Sequence, residues 1–112
     1  MIKITAIIPT FNRKKKLSII LKQLQAQVFQ KKIFLEIVVV IDGSSDGTLE
    51  MIKTQYPTVH VVLGNGNWWY TKSMNKGFQY AQKLSPDFIL TINDDVEIAA
   101  NYINTITDDY FS

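Results

Sequence analysis

IFLEIVVVIDGSSDGT, residues Ile33 to Thr48, is the stretch that decides the fold. Its first nine residues, Ile33 to Ile41, are apolar except for Glu36 and rich in β-branched side chains. An apolar run without alternation suits a strand covered on both faces, as in a parallel sheet. The run stops at Asp42-Gly43-Ser44-Ser45-Asp46-Gly47. Those residue types favour turns, because short polar side chains bond back to the chain and glycine accepts positive φ. Leu49, Ile52 and Tyr56 then recur at helical spacing. A short helix is expected after Ser45 or Asp46, either of which can cap it.

The same order repeats on both sides. Upstream, Ile2 to Ile8 reads as a buried strand ended by Pro9, followed by a helix carrying Leu17, Ile20, Leu21, Leu24 and Val28 inward. Downstream, Pro57 closes the short helix, Val59 to Leu63 reads as a third strand, and Gly64-Asn65-Gly66-Asn67 as a loop. A helix from about Thr71 to Leu84 follows, with Met74, Phe78 and Ala81 inward, ended by Ser85-Pro86. Phe88 to Ile92 is a fourth strand and Asn93-Asp94-Asp95 its polar end. A last helix spans roughly Ala99 to Tyr110, with Tyr102, Ile103 and Ile106 on one side. Strands alternating with helices imply right-handed crossovers. The fold class is therefore α/β, a Rossmann-like parallel sheet with flanking helices. There is no internal repeat, low-complexity tract or linker, so one domain over residues 1–112 is expected.

Composition narrows the function classes. A net charge of +2 is too small to argue for nucleic acid. The basic run Arg13-Lys14-Lys15-Lys16 reads as a solvated helix start. With no cysteine and one histidine, His60, neither a disulfide framework nor a His-rich or Cys-based metal site can form. No apolar stretch approaches the roughly 20 residues that span a bilayer, and the N-terminus lacks a signal peptide's apolar core. The expected location is the cytoplasm, with a peripheral place at the inner membrane face open to a longer form of the protein.

In parallel sheets the ligand sits outside the carboxyl ends of the strands. Polar and special residues collect there after every strand: Pro9 to Arg13, Asp42 to Asp46, Gly64 to Asn67, and Asn93 to Asp95. All four clusters fall on one rim, which marks it as a binding edge. Asp94 and Asp95 are adjacent hard oxygen donors of the kind that suits Mg²⁺ or Mn²⁺; alternatively they cap a turn or the next helix. Asp42 is either part of the site or an ordinary turn residue, and Phe11 either stacks on a base or is core. Arg13 and the lysines after it suit the steering of a polyanion. Trp68, Trp69 and Tyr70 cannot all face one core, so at least one is expected on the surface, as a stacking platform or an interface. Lys72 and Asn75 open the following helix, to meet phosphate or ribose or simply to be solvated.

Read in order, "AIIPTFNR" (Ala6 to Arg13), "VVVIDGSSDGT" (Val38 to Thr48), "GNGNWWYTKSMNKGFQYA" (Gly64 to Ala81) and "LTINDDVEI" (Leu90 to Ile98) resemble family 2 glycosyltransferases with the GT-A fold. Each stretch is loose alone; together they span most of the chain. The resemblance implies that the chain binds a nucleotide diphosphate sugar. It also implies a Mn²⁺ or Mg²⁺ cofactor at a D-x-D element, which neutralises the diphosphate while an acceptor hydroxyl attacks the sugar. The implied nucleotide-binding set is Pro9, Thr10, Phe11, Arg13, Asp42, Ser44, Asn67, Lys72, Asn75 and Asp94. The implied metal ligands are Asp95 and Asp94, with Asp95 the better placed. A glycan or lipid-linked glycan acceptor, in polysaccharide assembly, is the family's common employment.

The chain departs from the family pattern at three places. Ile41 stands where an acidic pair has its first member, the acid that commonly reads a uracil edge in relatives using UDP-sugars; its absence counts against UDP and leaves dTDP, GDP or another donor open. Asn93 stands where D-x-D has its first aspartate. No residue up to Ser112 matches the family's catalytic base. The expectation is a donor-binding GT-A domain without its acceptor-binding half, inactive alone, binding nucleotide weakly, and pairing into homodimers through uncovered apolar surface. Competing readings fit less well. A receiver-type signalling domain wants an acidic pair after the first strand, and a nucleotidyltransferase wants a glycine-rich basic loop there. A non-catalytic nucleotide- or carbohydrate-binding module would use Trp68, Trp69 and Tyr70 without metal.

Overall fold

The computed structural model describes residues 1–111. Four strands and four helices alternate: β1 (Ile2–Thr10), α1 (Lys14–Gln25), β2 (Ile33–Asp42), α2 (Thr48–Gln55), β3 (His60–Gly64), α3 (Trp69–Gln82), β4 (Phe88–Thr91) and α4 (Tyr102–Phe111). The strands form one parallel sheet in the order β3-β2-β1-β4. Ile2 pairs with Ile33 and Thr10 with Ile41, so β1 and β2 run in step along their whole length. The chain moves outward from β1 to β3 and then returns to the other side of β1. The point of reversal lies between β1 and β4, where ligands of open parallel sheets collect.

Alternate side chains of β1 and β2 enter two separate cores, which explains why neither strand shows polar alternation. Ile4, Ala6, Ile8, Ile37, Val39 and Ile41 meet Leu17, Ile20, Leu21 and Leu24 of α1, Met51 and Ile52 of α2, and Ile103 of α4. On the other face Ile7, Val38 and Val40 meet Met74 and Ala81 of α3. Gly77 lets α3 lie close to the sheet: a Cβ there would stand 2.5 Å from Ile7 Cγ2 and 3.2 Å from Val40 Cγ2.

Several boundaries differ from the sequence reading, each for a local reason. Pro9 lies inside β1 rather than ending it. Ile7 O accepts from Ile92 N–H, so odd-numbered residues of β1 face β4, and Pro9 falls where that ladder has run out. Its missing N–H therefore breaks no pairing. α1 stops at Gln25, and Val28 lies beyond it, exposed; its N–H instead bonds Ala100 O at 2.7 Å. α3 begins at Trp69, before Thr71, because the Asp42 carboxylate at the end of β2 receives the N–H groups of Trp68 and Trp69. Phe78 is partly exposed, since Gly77 and Ala81 fill the contact with the sheet. Gly47, at positive φ, takes the N-cap position of α2 instead of Ser45 or Asp46. Asp46 still serves the helix start, accepting from Thr48 N–H at 3.2 Å. Among the described residues no helix is long and apolar enough to cross a membrane.

Candidate functional site

The four polar turns converge at the carboxyl rim. A cavity of about 470 Å³ is lined by Pro9, Thr10, Phe11 and Arg13 from the first, Asp42 from the second, Gly66 from the third, and Asn93, Asp94 and Asp95 from the fourth. Trp69, Tyr70 and Ser73 of α3 complete its wall. The volume is ordinary for a small-molecule site, about 300–1,000 Å³.

One side of the cavity is acidic and tightly tied. Asp94, only 7% exposed, accepts a 2.8 Å hydrogen bond from the Thr10 hydroxyl on Oδ2. That bond joins the ends of the two strands flanking the reversal point. Arg13 NH1 lies 3.4 Å from Asp94 Oδ1 and 3.1 Å from Asp95 Oδ2. Among the described residues no three His, Cys, Asp or Glu side chains gather as a metal cage. Two carboxylates beside a cavity are nevertheless what Mg²⁺-like ions take from a protein when phosphate oxygens and water complete the shell. The guanidinium between them shows that this spot already favours positive charge.

The facing side is held by Asp42, buried at the end of β2. Its Oδ1 accepts from Gly66 N–H at 2.8 Å, and its Oδ2 from Trp68 and Trp69 N–H at 2.9 and 2.8 Å. The carboxylate thus satisfies orphan donors at the start of α3, where a negative charge also meets the helix dipole favourably. Gly64 makes room for this arrangement, since a Cβ there would lie 2.6 Å from Asp42 Oδ1 and 2.8 Å from the Trp68 ring. One consequence is local strain. Trp69 has φ +58°, a conformation disfavoured for a bulky side chain, and the residue is 78% exposed where it lines the cavity. Phe11 and Tyr70, both more than half exposed, give the same mouth two further aromatic surfaces.

The loop after β1 is braced from the second turn. Asn12, at φ +50°, donates its N–H to Ser44 Oγ at 2.9 Å and accepts Ser45 N–H on its side-chain oxygen at 2.7 Å. Asp46 Oδ2 accepts Lys14 N–H at 3.0 Å, so one carboxylate holds the first residues of both α1 and α2. Partial burial pushes the Asp46 carboxyl up, but the Thr48 hydroxyl and the Lys14 and Thr48 N–H groups outweigh it and hold it below the ordinary carboxylate value of 3.8.

Pro9, Thr10, Phe11, Arg13, Asp42, Asp94 and Asp95 are thus brought together, and four others of the sequence set stand outside the lining. Ser44 braces Asn12. Asn67 follows the lining residue Gly66 and donates its N–H to Asn65 Oδ1 at 2.9 Å. Lys72 places its ammonium 5.6 Å from the Trp68 ring centroid, with Lys76 at 5.7 Å. Asn75 is exposed on α3. Gly66 belongs to the Gly64–Asn67 turn that the sequence places on the rim, whereas Ser73 lies outside the sequence set. Ser73 follows Trp69 and Tyr70 by four and three residues, the spacing of one helical face, and that periodicity was the available signal.

The profile described as glycosyl transferase family 2 matches residues 5–108. No curated protein sequence matches the chain. Among solved structures, S. aureus TarS superposes with a TM-score of 0.81 at 26% identity, over 99% of this chain and 20% of that one. S. aureus TarS 1–349 in complex with UDP-GlcNAc superposes at 0.75 and 26% identity, over 98% and 30%. The mannosyltransferase PcManGT from Pyrobaculum calidifontis, in complex with GDP-Man and Mn²⁺, has a TM-score of 0.71 at 21% identity, over 87% and 29%. The chain therefore spans under a third of the length of these structures.

Proposed function

We propose, from the premise that the chain belongs to glycosyl transferase family 2, that its rim cavity binds the donor of a glycosyl transfer, a nucleoside diphosphate sugar together with Mg²⁺ or Mn²⁺. The observation that carries this is the joining of Thr10, Arg13, Asp94 and Asp95 opposite an aromatic wall in a single cavity at the sheet's reversal point. In this reading Phe11, Trp69 and Tyr70 offer faces on which a base or sugar ring stacks. Ser73 and Gly66 also line the cavity, and in this reading they meet polar edges of the ligand. Arg13 supplies a planar cationic donor suited to phosphate oxygens. Asp94, fixed by Thr10, and the more exposed Asp95 present carboxylate oxygens to the divalent ion. When bound, that ion neutralises negative charge on the diphosphate leaving group. Asp42 acts in this account as the post that sets the aromatic wall, and Ser44 as a brace of the first loop. The acceptor, a glycan or lipid-linked glycan, and the carboxylate base that activates its hydroxyl belong to the acceptor-binding part of such enzymes. Residues 1–112 are proposed to bind donor and to lack turnover by themselves.

Thermal unfolding with UDP, dTDP and GDP, each with and without Mn²⁺, tests this reading. Binding at a hundredfold excess over Kd stabilises by about 2.7 kcal/mol. At least one nucleoside diphosphate is expected to raise the melting temperature, more so with Mn²⁺, and Asp95→Ala is expected to lose the metal-dependent part. Stabilisation by free sugars alone, indifferent to Mn²⁺ and nucleotide, would favour a carbohydrate-binding module instead. Transfer of sugar by residues 1–112 would contradict the assignment of the base elsewhere.

A further inference from the structure

Arg13 and a divalent cation need the same oxygen atoms. The Oδ2 of Asp94 already accepts the Thr10 hydroxyl, which makes Oδ1 the freer oxygen, and Oδ1 is the one that faces Arg13 Nη1 at 3.4 Å. On Asp95 the same guanidinium nitrogen meets Oδ2 at 3.1 Å. One nitrogen thus bridges both carboxylates and keeps two adjacent anions from repelling each other. The backbone on either side of Arg13 is pinned, by Asn12 to Ser44 and Ser45 and by Lys14 to Asp46. From this braced loop the Arg13 side chain reaches the two carboxylates. It is half exposed, with its side chain at 49% relative accessibility, so it can turn toward water, whereas Asp94, whose side chain is 9% accessible, then requires the incoming cation in its place. It also lines the cavity, within which a diphosphate would offer it a stronger anion.

We infer that Arg13 is a built-in counter-ion of the Asp94–Asp95 pair that competes with the divalent cation in the nucleotide-free protein and transfers to the donor's diphosphate when the cation enters. This rests on the proposed donor site. Arg13 here is a positioning residue with a second function: it holds the carboxylates in place and couples metal binding to nucleotide binding. Each ligand then raises the affinity for the other, and by the same factor in both directions. A nucleotide that draws Arg13 away vacates the cation's oxygens, and a cation that occupies them frees Arg13 for phosphate.

The test is titration of Mn²⁺ by calorimetry, with and without UDP or GDP, on the wild-type chain, Arg13→Gln and Arg13→Lys, each first shown to unfold at the wild-type urea midpoint. Removing a half-exposed guanidinium that competes for these carboxylates should tighten binding of Mn²⁺ alone in Arg13→Gln by roughly threefold to tenfold. The same variant should bind the nucleoside diphosphate more weakly in saturating Mn²⁺ and lose most of the mutual enhancement. Arg13→Lys should restore the nucleotide affinity in part, because the charge remains while the planar fork is lost. Equal or weaker Mn²⁺ binding by Arg13→Gln overturns the competition, as does undetectable Mn²⁺ binding by both wild type and variant. The two failures are distinguishable. Tighter Mn²⁺ binding with no nucleotide binding at all supports the counter-ion and sinks the donor site. Metal-dependent nucleotide binding that is indifferent to Arg13 retains the donor site and sinks the counter-ion.

Discussion

Asp42→Asn separates two roles for the residue at the end of β2, reading a base or building the wall. The wild-type carboxylate accepts three backbone N–H groups, from Gly66 on one oxygen and from Trp68 and Trp69 on the other. An asparagine keeps one oxygen. Placed toward Trp68 and Trp69, it leaves its NH₂ facing the Gly66 N–H, donor against donor. A hydrogen bond to a charged group contributes about 1.5–3 kcal/mol. The lost negative charge at the start of α3 adds about 0.3–1 kcal/mol. The sum is about 2–4 kcal/mol, a large part of the stability of a small domain, about 5–15 kcal/mol. Urea unfolding should show the free energy of unfolding falling by that amount, through a lower midpoint with the slope unchanged. Binding should weaken for every nucleotide alike, because the wall carrying Trp69 and Tyr70 loosens. A variant within 0.5 kcal/mol of wild type, the usual range of surface substitutions at about ±0.5 kcal/mol, with altered base preference would refute the structural role.

Three further outcomes follow from the geometry. Gly77→Ala should destabilise by about 1–3 kcal/mol, measured by urea unfolding, since its Cβ would press on Ile7 and Val40 and lift α3 from the sheet. Asp46 is held below its unfolded value of 3.8, so its stabilisation is complete above that pH and is lost as pH falls through the lower folded value. Acid titrations of unfolding free energy should therefore show a shallower loss below pH 3.8 in Asp46→Asn, and an unchanged acid limb would count against the two-helix role of this carboxylate. Trp69→Gly should leave stability unchanged or raise it by about 1 kcal/mol, because the left-handed strain is relieved and the exposed indole buries little. The same variant should bind nucleotide less tightly; a clear loss of stability would show that the indole is a structural prop.

The sheet was readable because β1 and β2 are nearly uninterrupted apolar runs, the mark of strands covered on both faces, and because polar turns follow them in phase. Pro9 misled only as punctuation: its tolerance depends on where β4 stops, which is a tertiary fact. Val28 kept helical spacing but serves the loop before α4 through its N–H. The rim was legible as a set of turns after strands, yet the partners of each polar side chain were not. Asp42 and Ser44 carry the residue types of a binding motif, and both spend their oxygens on backbone N–H groups of neighbouring turns. Sequence spacing says which residues share a rim, but not which N–H groups arrive there unpaired. The exposed place of Trp69 likewise depends on the positive φ imposed where Asp42 gathers the start of α3.

The most direct test of the rim cavity is amide mapping by nuclear magnetic resonance of the labelled chain with a nucleoside diphosphate and Mg²⁺, repeated with trace Mn²⁺. Chemical-shift changes are expected at residues 10–13, 66–73 and 93–95, with paramagnetic broadening centred on Asp94 and Asp95. Perturbations gathered at the opposite end of the sheet, around Glu36 and His60, or Mn²⁺ broadening remote from Asp95, would contradict the rim site.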